Sequence, residues 1–143
     1  VAQTEYRDVL AVDKEKLFSV ITKYESYPDF VDGCKTVKVE RLGPGKARVS
    51  YEVSVMSQDI HYTLDHYENL ESGQVGWELV DSNLFKKNKG KWEIKPAGTG
   101  KTDVVYSIEV EFKVSIPGFI LNRLVKGSLP GMVKSFEKKA QNS

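Results

Sequence analysis

VVYSIEVEFKVSIPGFILNRLVKGSLPGMVKSFEKKA, residues 104–140, contains the change of period on which the fold turns. Val104, Tyr106, Ile108, Val110 and Phe112 alternate with Ser107, Glu109, Glu111 and Lys113. Strict alternation gives a strand one apolar and one wet face, the mark of an antiparallel sheet with a solvated side. After Ile116-Pro117-Gly118 the spacing becomes helical. Leu121, Leu124, Val125, Leu129, Met132, Val133, Phe136 and Ala140 recur at steps of three or four, with Arg123, Lys126, Lys134 and Lys138 on other faces. This predicts one long helix over roughly 117–140. Pro130 should kink it by removing a backbone amide, and the apolar stripe keeps its phase across the proline, as in one bent helix.

The period of two extends upstream to about Cys34. Val37 and Val39, then Val49, Tyr51, Val53 and Val55, then Ile60, Tyr62, Leu64 and His66 each share a face. Val75, Trp77 and Leu79 repeat the pattern, as do Trp92 and Ile94. Breakers at Gly43-Pro44-Gly45, Ser72-Gly73, Asn88 to Gly90 and Ala97 to Gly100 read as turns, so the six runs imply a meander. Ahead of them, Tyr6 to Val12 reads as a strand. Asp13 is placed to cap a helix over 14–23, with Glu15 near its positive dipole end. A one- or two-turn helix is expected at Tyr27 to Val31, starting at or near Pro28 and stopped by Gly33.

The order is therefore strand, two helices, six strands, one long helix. A sheet with one apolar face must be covered, and the last helix carries the only long apolar stripe. An α+β fold follows, with a seven-stranded curved antiparallel sheet wrapped around the C-terminal helix. The 143 residues suit a single domain over 1–143, able to bury ~two-thirds of its unfolded surface.

Composition excludes several classes. The formal net charge is +1, whereas a dedicated DNA or RNA binder is usually strongly basic. One cysteine, Cys34, rules out an internal disulfide and a multi-cysteine metal site. Two histidines are too few for a His-rich metal site, and no apolar run approaches the ~20 residues of a membrane-spanning helix. A cytoplasmic location is expected. Because the chain starts at Val1 without Met, a targeting segment ahead of it stays open.

Three local words add a family resemblance. Tyr24-Glu25-Ser26-Tyr27-Pro28-Asp29-Phe30-Val31-Asp32-Gly33-Cys34 resembles the YxxYPxFxxxC segment of bacterial cyclase/dehydrase-type proteins. Gly90-Lys91-Trp92-Glu93-Ile94-Lys95-Pro96 followed by Thr102-Asp103-Val104-Val105-Tyr106 resembles that family's GxWxxxP and TxVxY strand pair. Pro117-Gly118-Phe119-Ile120 resembles the opening of its last helix. The chain is thus similar to the START, birch-pollen-allergen and polyketide-cyclase (SRPBCC) superfamily. Within it, the words resemble bacterial cyclase/dehydrases, coenzyme-Q-binding START-type proteins and the ribosome-association toxin. The resemblance implies a helix-grip fold and a hydrophobic ligand, but no single activity, because this fold hosts carriers, enzymes and regulators.

Candidate chemistry is sparse. Cys34 follows Gly33 at a helix-to-strand junction with no base near it in sequence, and reads as a small packed residue. His61 and His66 are an odd number apart on one strand and fall on opposite faces, so they cannot share a metal unless a bulge intervenes. Glu52, Asp65, Glu93, Glu109 and Glu111 all alternate outward, which leaves no inner carboxylate pair. Gly98 and Gly100 precede no helix, so they form a hairpin and not a phosphate loop.

The inner-face aromatics say more. Tyr51, Tyr62, Trp77, Trp92, Tyr106 and Phe112 all fall inward. An unpartnered buried hydroxyl costs ~1–3 kcal/mol, so inward tyrosines on different strands point to an internal network or a hydrated cavity. The expected cavity residues are Tyr51, Tyr62, His66, Trp77, Trp92, Tyr106, Ile108, Phe119 and Leu124. Helices and loops flank the cavity mouth in the superfamily, so the resemblance implies that residues 27–31 and 117–121 gate it.

Charge is unevenly spread: residues 86–101 carry net +5, residues 117–143 net +4 and the remainder −8. Lys86, Lys87 and Lys89, beside Leu84 and Phe85, are candidates for contact with an anionic membrane surface. The expected function is non-catalytic binding or transport of a hydrophobic small molecule such as a lipid, quinone or polyketide, without a cofactor. The alternatives are a polyketide cyclase/dehydratase-type enzyme and a ribosome- or protein-interacting regulator.

Overall fold

The computed structural model describes residues 2–143, with the side chain of Leu124 outside that description. Seven strands form one antiparallel sheet: β1 (Ala2–Leu10), β2 (Cys34–Gly43), β3 (Lys46–Val55), β4 (Gln58–Asn69), β5 (Gln74–Ser82), β6 (Phe85–Pro96) and β7 (Thr102–Phe112). Their order is β1-β7-β6-β5-β4-β3-β2. The meander from β2 to β7 therefore stands as expected, and β1 closes against β7. Between β1 and β2 lie α1 (Lys14–Thr22) and a short 3-10 helix (Tyr24–Asp29). The 3-10 helix begins four residues before Pro28 and contains it.

The C-terminal region departs from the expected single bent helix. Two helices are present, α2 (Gly118–Val125) and α3 (Leu129–Gln141). Pro130 sits in the first turn of α3 and not in a helix interior. There its missing amide costs nothing, because the first-turn amides have no partner inside the helix. Gly127 donates its backbone N–H to the Asn122 carbonyl and ends α2.

Two turns also differ. Asn88 to Gly90 lies inside β6, and the true β5–β6 connection runs through Asn83 and Leu84. The β3–β4 hairpin turns at Met56 and Ser57, with φ of 51° and 65°, without any glycine. Asp13 precedes α1 as expected, but its backbone carbonyl, not its side chain, accepts from Leu17 N–H at 3.0 Å.

The core lies between the inner sheet face and the helices. Leu17 and Ile21 of α1, Val133 and Ala140 of α3, and Leu10, Val49, Ile94 and Val104 of the sheet are fully buried. Polar bonds pin α3 along β1. Glu137 accepts from Ala11 N–H at 2.7 Å, Gln141 donates to Ala11 O at 2.9 Å, and Lys134 pairs with Asp8 at 3.1 Å. The Phe136 ring packs edge-on against Tyr27, Phe30 and Trp92, with centroids 4.9–5.2 Å away. The outer face carries cross-strand ion pairs, among them the two-pronged Arg48–Asp65 pair at 2.8 and 3.0 Å.

Candidate functional site

Alternation aims the inner residues of β3 to β7 at α3, but these residues do not fill the space completely. A cavity of about 240 Å³ remains. Its wall includes Tyr51, Tyr62, His66, Trp77, Trp92, Tyr106 and Ile108, seven of the nine expected residues. Phe119 is not among them: it is 77% exposed on α2. Phe119 was expected inward at the start of one continuous helix, whereas it lies on the separate helix α2, which ends before Gly127. The side chain of Leu124, also expected there, lies outside the described residues.

Sequence reasoning left out several further wall residues, three of which matter most here. Tyr27, expected only at the gate, is part of the wall, as are Met132 of α3 and Asn88 of β6. Asn88 was obscured by its resemblance to a turn residue. Its phase with Gly90, Trp92 and Ile94 was the available signal. Of the two expected gate segments, Tyr27 and Val31 border the cavity, and no residue of 117–121 does. Phe112 packs on Phe85, at 5.3 Å between centroids, outside the cavity wall.

Gly90 shapes the floor. Trp77 is its register partner on β5, and a Cβ at position 90 would stand 2.6 Å from the Trp77 ring and 2.2 Å from Ser107 O. The missing side chain lets the indole lie over the strand. Trp77 Nε1 then donates to Asn88 Oδ1 at 2.9 Å.

The polar element of the site is the pair Tyr51 and His66. Tyr51 Oη lies 2.7 Å from His66 Nε2, and both residues are buried. The His66 ring stacks on Tyr24 at 4.3 Å. Tyr24 is itself held by donating its hydroxyl to Glu68 at 2.5 Å, and Arg41 pairs with Glu68 at 2.8 Å. Burial pushes the His66 pKa down to about 3, so the ring is neutral at physiological pH. The Tyr51, Tyr62 and Tyr106 hydroxyls are pushed above their ordinary range by burial and stay protonated. Among the described residues, no hydrogen bond is made by the Tyr62 or Tyr106 hydroxyl. Both alternatives posed by the inward tyrosines are therefore present: Tyr51 is networked, and Tyr62 and Tyr106 border open space.

The remaining candidates behave differently. His61 is exposed on the opposite face of β4. Cys34 borders the cavity half-buried, and burial raises its pKa, which keeps it a thiol. Lys87 and Lys89 both approach Glu109, at 2.5 and 3.9 Å, and Lys86 approaches Glu111 at 3.6 Å. Part of the expected positive patch is thus balanced across β6 and β7. A larger, shallow depression of about 550 Å³ lies on the outer face, rimmed by Glu78, Lys89, Lys91 and Glu109. Its charges are of mixed sign and solvated, so it lacks the buried apolar wall of the inner site. No group of three or more metal-ligating side chains occurs among the described residues, and none of their helices is long and apolar enough to cross a membrane.

A curved antiparallel sheet gripping a C-terminal helix defines the helix-grip class of α+β protein. Residues 10–137 match the family described as polyketide cyclase / dehydrase and lipid transport, and the chain belongs to that family. Among curated relatives, it is 26% identical over 128 residues to the persistence and stress-resistance toxin PasT of Escherichia coli O6:H1 (strain CFT073). It is likewise 26% identical to the ribosome association toxin RatA of Escherichia coli K12. Each match covers 89% of this chain and 79% of the relative. Among solved structures, the Zhui aromatase/cyclase from Streptomyces sp. R1128 superposes with a TM-score of 0.87 at 12% identity, covering 98% of this chain and 93% of that one. A START superfamily protein from Mycobacterium smegmatis gives 0.85 at 19% identity, covering 98% and 97%. At these identities the structural likeness establishes the START-type helix-grip fold.

Proposed function

We propose that the protein binds and carries a hydrophobic small molecule between the inner sheet face and α3, with residues 1–143 acting as one START-like domain. The observation that carries this reading is the cavity of about 240 Å³, walled by tyrosine and tryptophan rings in an otherwise closely packed core. Such rings offer apolar area with a hydrogen-bonding tip, the usual composition of a small-molecule site. Apolar burial at about 25 cal/mol per Å² supplies affinity, and the tyrosine hydroxyls orient the ligand. An apolar void of about 150 Å³ accepts benzene, and drug-sized ligands occupy about 300–1,000 Å³. The cavity therefore suits a one- or two-ring molecule, or the ring end of a longer lipid or quinone whose tail leaves past Val31, Val55 and Met132. The reading requires no cofactor or metal. Native mass spectrometry before and after organic-solvent extraction tests it. A bound apolar mass that extraction removes, or uptake of an added apolar ligand, is expected. Failure of both defeats the reading.

Two other readings each have one observation in favour. A cyclase/dehydratase needs a proton-transfer group in the cavity, and His66 beside Tyr51 is of that kind. It predicts cyclised product from a poly-β-ketone thioester, lost in His66→Phe. A ribosome-interacting role draws on the named relatives RatA and PasT. It predicts salt-sensitive co-sedimentation with ribosomes, lost when Lys86, Lys87 and Lys89 are reversed in charge. For an anionic membrane surface the same lysines, with exposed Val114 and Phe119, are the contact candidates. A cytoplasmic location fits all of these readings.

A further inference from the structure

We propose that Tyr51 and His66 form a two-way, uncharged head-group site, which takes either a carbonyl or a hydroxyl oxygen of a neutral ring ligand. The proposal rests on the ligand-binding reading above and specifies the chemistry of its ligand.

The key observation is that His66 Nδ1 is the one buried side-chain nitrogen or oxygen without a hydrogen-bond partner among the described residues. A buried histidine usually has its tautomer fixed by a bond from one ring nitrogen to a carbonyl or carboxylate. Here the fixing bond is missing. The ring is held by stacking on Tyr24, and Tyr24 is anchored by Glu68 and Arg41. This arrangement sets the ring plane and leaves the proton free to sit on either nitrogen.

Each tautomer gives Tyr51 a different role. With the proton on Nδ1, Nε2 accepts from the Tyr51 hydroxyl, and the Tyr51 oxygen offers lone pairs to a ligand hydroxyl. With the proton on Nε2, the ring donates to Tyr51, and the phenolic proton turns to a ligand carbonyl. Nδ1 is unpartnered in both cases, as a donor in the first and an acceptor in the second, and the bond between the ligand and Tyr51 selects the tautomer. Tyr51 is consequently a donor or an acceptor as the ligand requires.

Charge selects in the other direction. The cavity wall contains no lysine or arginine, and its one carboxylate is Asp32, exposed on the loop ahead of β2. His66, buried and facing Tyr24, Tyr51 and Trp77, stays neutral. A ligand carboxylate would lose its water here and meet no counter-charge.

Equilibrium dialysis of the whole chain at pH 7 with naphthalene, 2-acetylnaphthalene, 2-naphthol and 2-naphthoate tests the site. Both neutral oxygenated probes should bind roughly tenfold tighter than naphthalene, and naphthoate no tighter than naphthalene. Tyr51→Phe, which removes one oxygen from the wall, should abolish the advantage of both oxygenated probes. His66→Phe should weaken naphthol roughly tenfold relative to acetylnaphthalene, because the Tyr51 proton then has no acceptor when its oxygen takes the ligand's proton. Naphthoate binding as tightly as naphthol, or an oxygen advantage that survives Tyr51→Phe, overturns the proposal. In either event naphthalene binding leaves the cavity reading standing. If none of the four probes binds, the proposal falls, and the cavity reading falls with it when extraction also releases no apolar mass.

Discussion

The two ends of the sheet are built from the same strands and differ in how completely they are filled. At one end, where β1 runs into α1, Leu10, Ala47, Val104 and Ala140 are fully or almost fully buried, and Thr102 donates to Val12 O at 2.7 Å. At the other end, where β2 begins and β3 ends, Val31, Val53, Val55 and Tyr62 are only half-buried around the cavity. Interiors pack at near-crystalline density, so the incompletely filled end stands out against the solid opposite end and is the place for the proposed ligand. On the proposed function, stability is concentrated in the closed end and recognition in the open one.

The largest expected effect contrasts the ends directly. Leu10→Ala leaves a hole in the closed end and should lower stability by about 2–5 kcal/mol, read from urea unfolding. Val53→Ala only enlarges an existing space, and should cost less than about 1 kcal/mol. Equal costs would abolish the contrast. Next in size is Gly90→Ala, at the floor between the two ends. The added Cβ meets Trp77 and backbone together, so a loss of about 1–3 kcal/mol is expected, with a shift in tryptophan emission as the indole is displaced.

A pH effect sharpens the same boundary. His66 takes a proton near 6.5 when unfolded and near 3 when folded. Protonation therefore favours the unfolded chain. The stability tied to neutral His66 is complete above about pH 6.5 and is lost as pH falls toward 3. The loss should reach about 2 kcal/mol by pH 5. Asp8 and Asp65, held below their ordinary range by Lys134 and Arg48, add their losses only at lower pH. In His66→Phe the decline between pH 7 and pH 5 should flatten while the acid limb below pH 4 persists. A wild-type urea midpoint constant from pH 7 to pH 5 would refute the account of His66.

Much of the site was legible because alternation is a local property. Tyr51, Tyr62, His66, Trp77, Trp92, Tyr106 and Ile108 occupy the same parity as the apolar residues beside them, and parity alone places them inside. What escaped depended on three-dimensional context. Val125, Leu129 and Val133 keep a four-residue step through the break at Gly127, so periodicity could not reveal that α2 and α3 are separate or that Phe119 turns outward. Asn88 and Gly90 are both turn-forming residue types, yet Trp77 needs both, one as acceptor and one as empty space. The Met56–Ser57 turn has no glycine to announce it. The missing partner of His66 Nδ1 is an absence, which no residue pattern encodes.

The central claim is that the open end contains real, ligand-sized space. Filling it tests this most directly. Val53→Phe places a ring at the half-buried wall, and the quantity to measure is the affinity of the variant for naphthalene against that of the wild type. If the space exists and is the binding site, the variant folds with unchanged or higher stability and loses at least tenfold in affinity. A variant that binds naphthalene as well as the wild type would contradict the account.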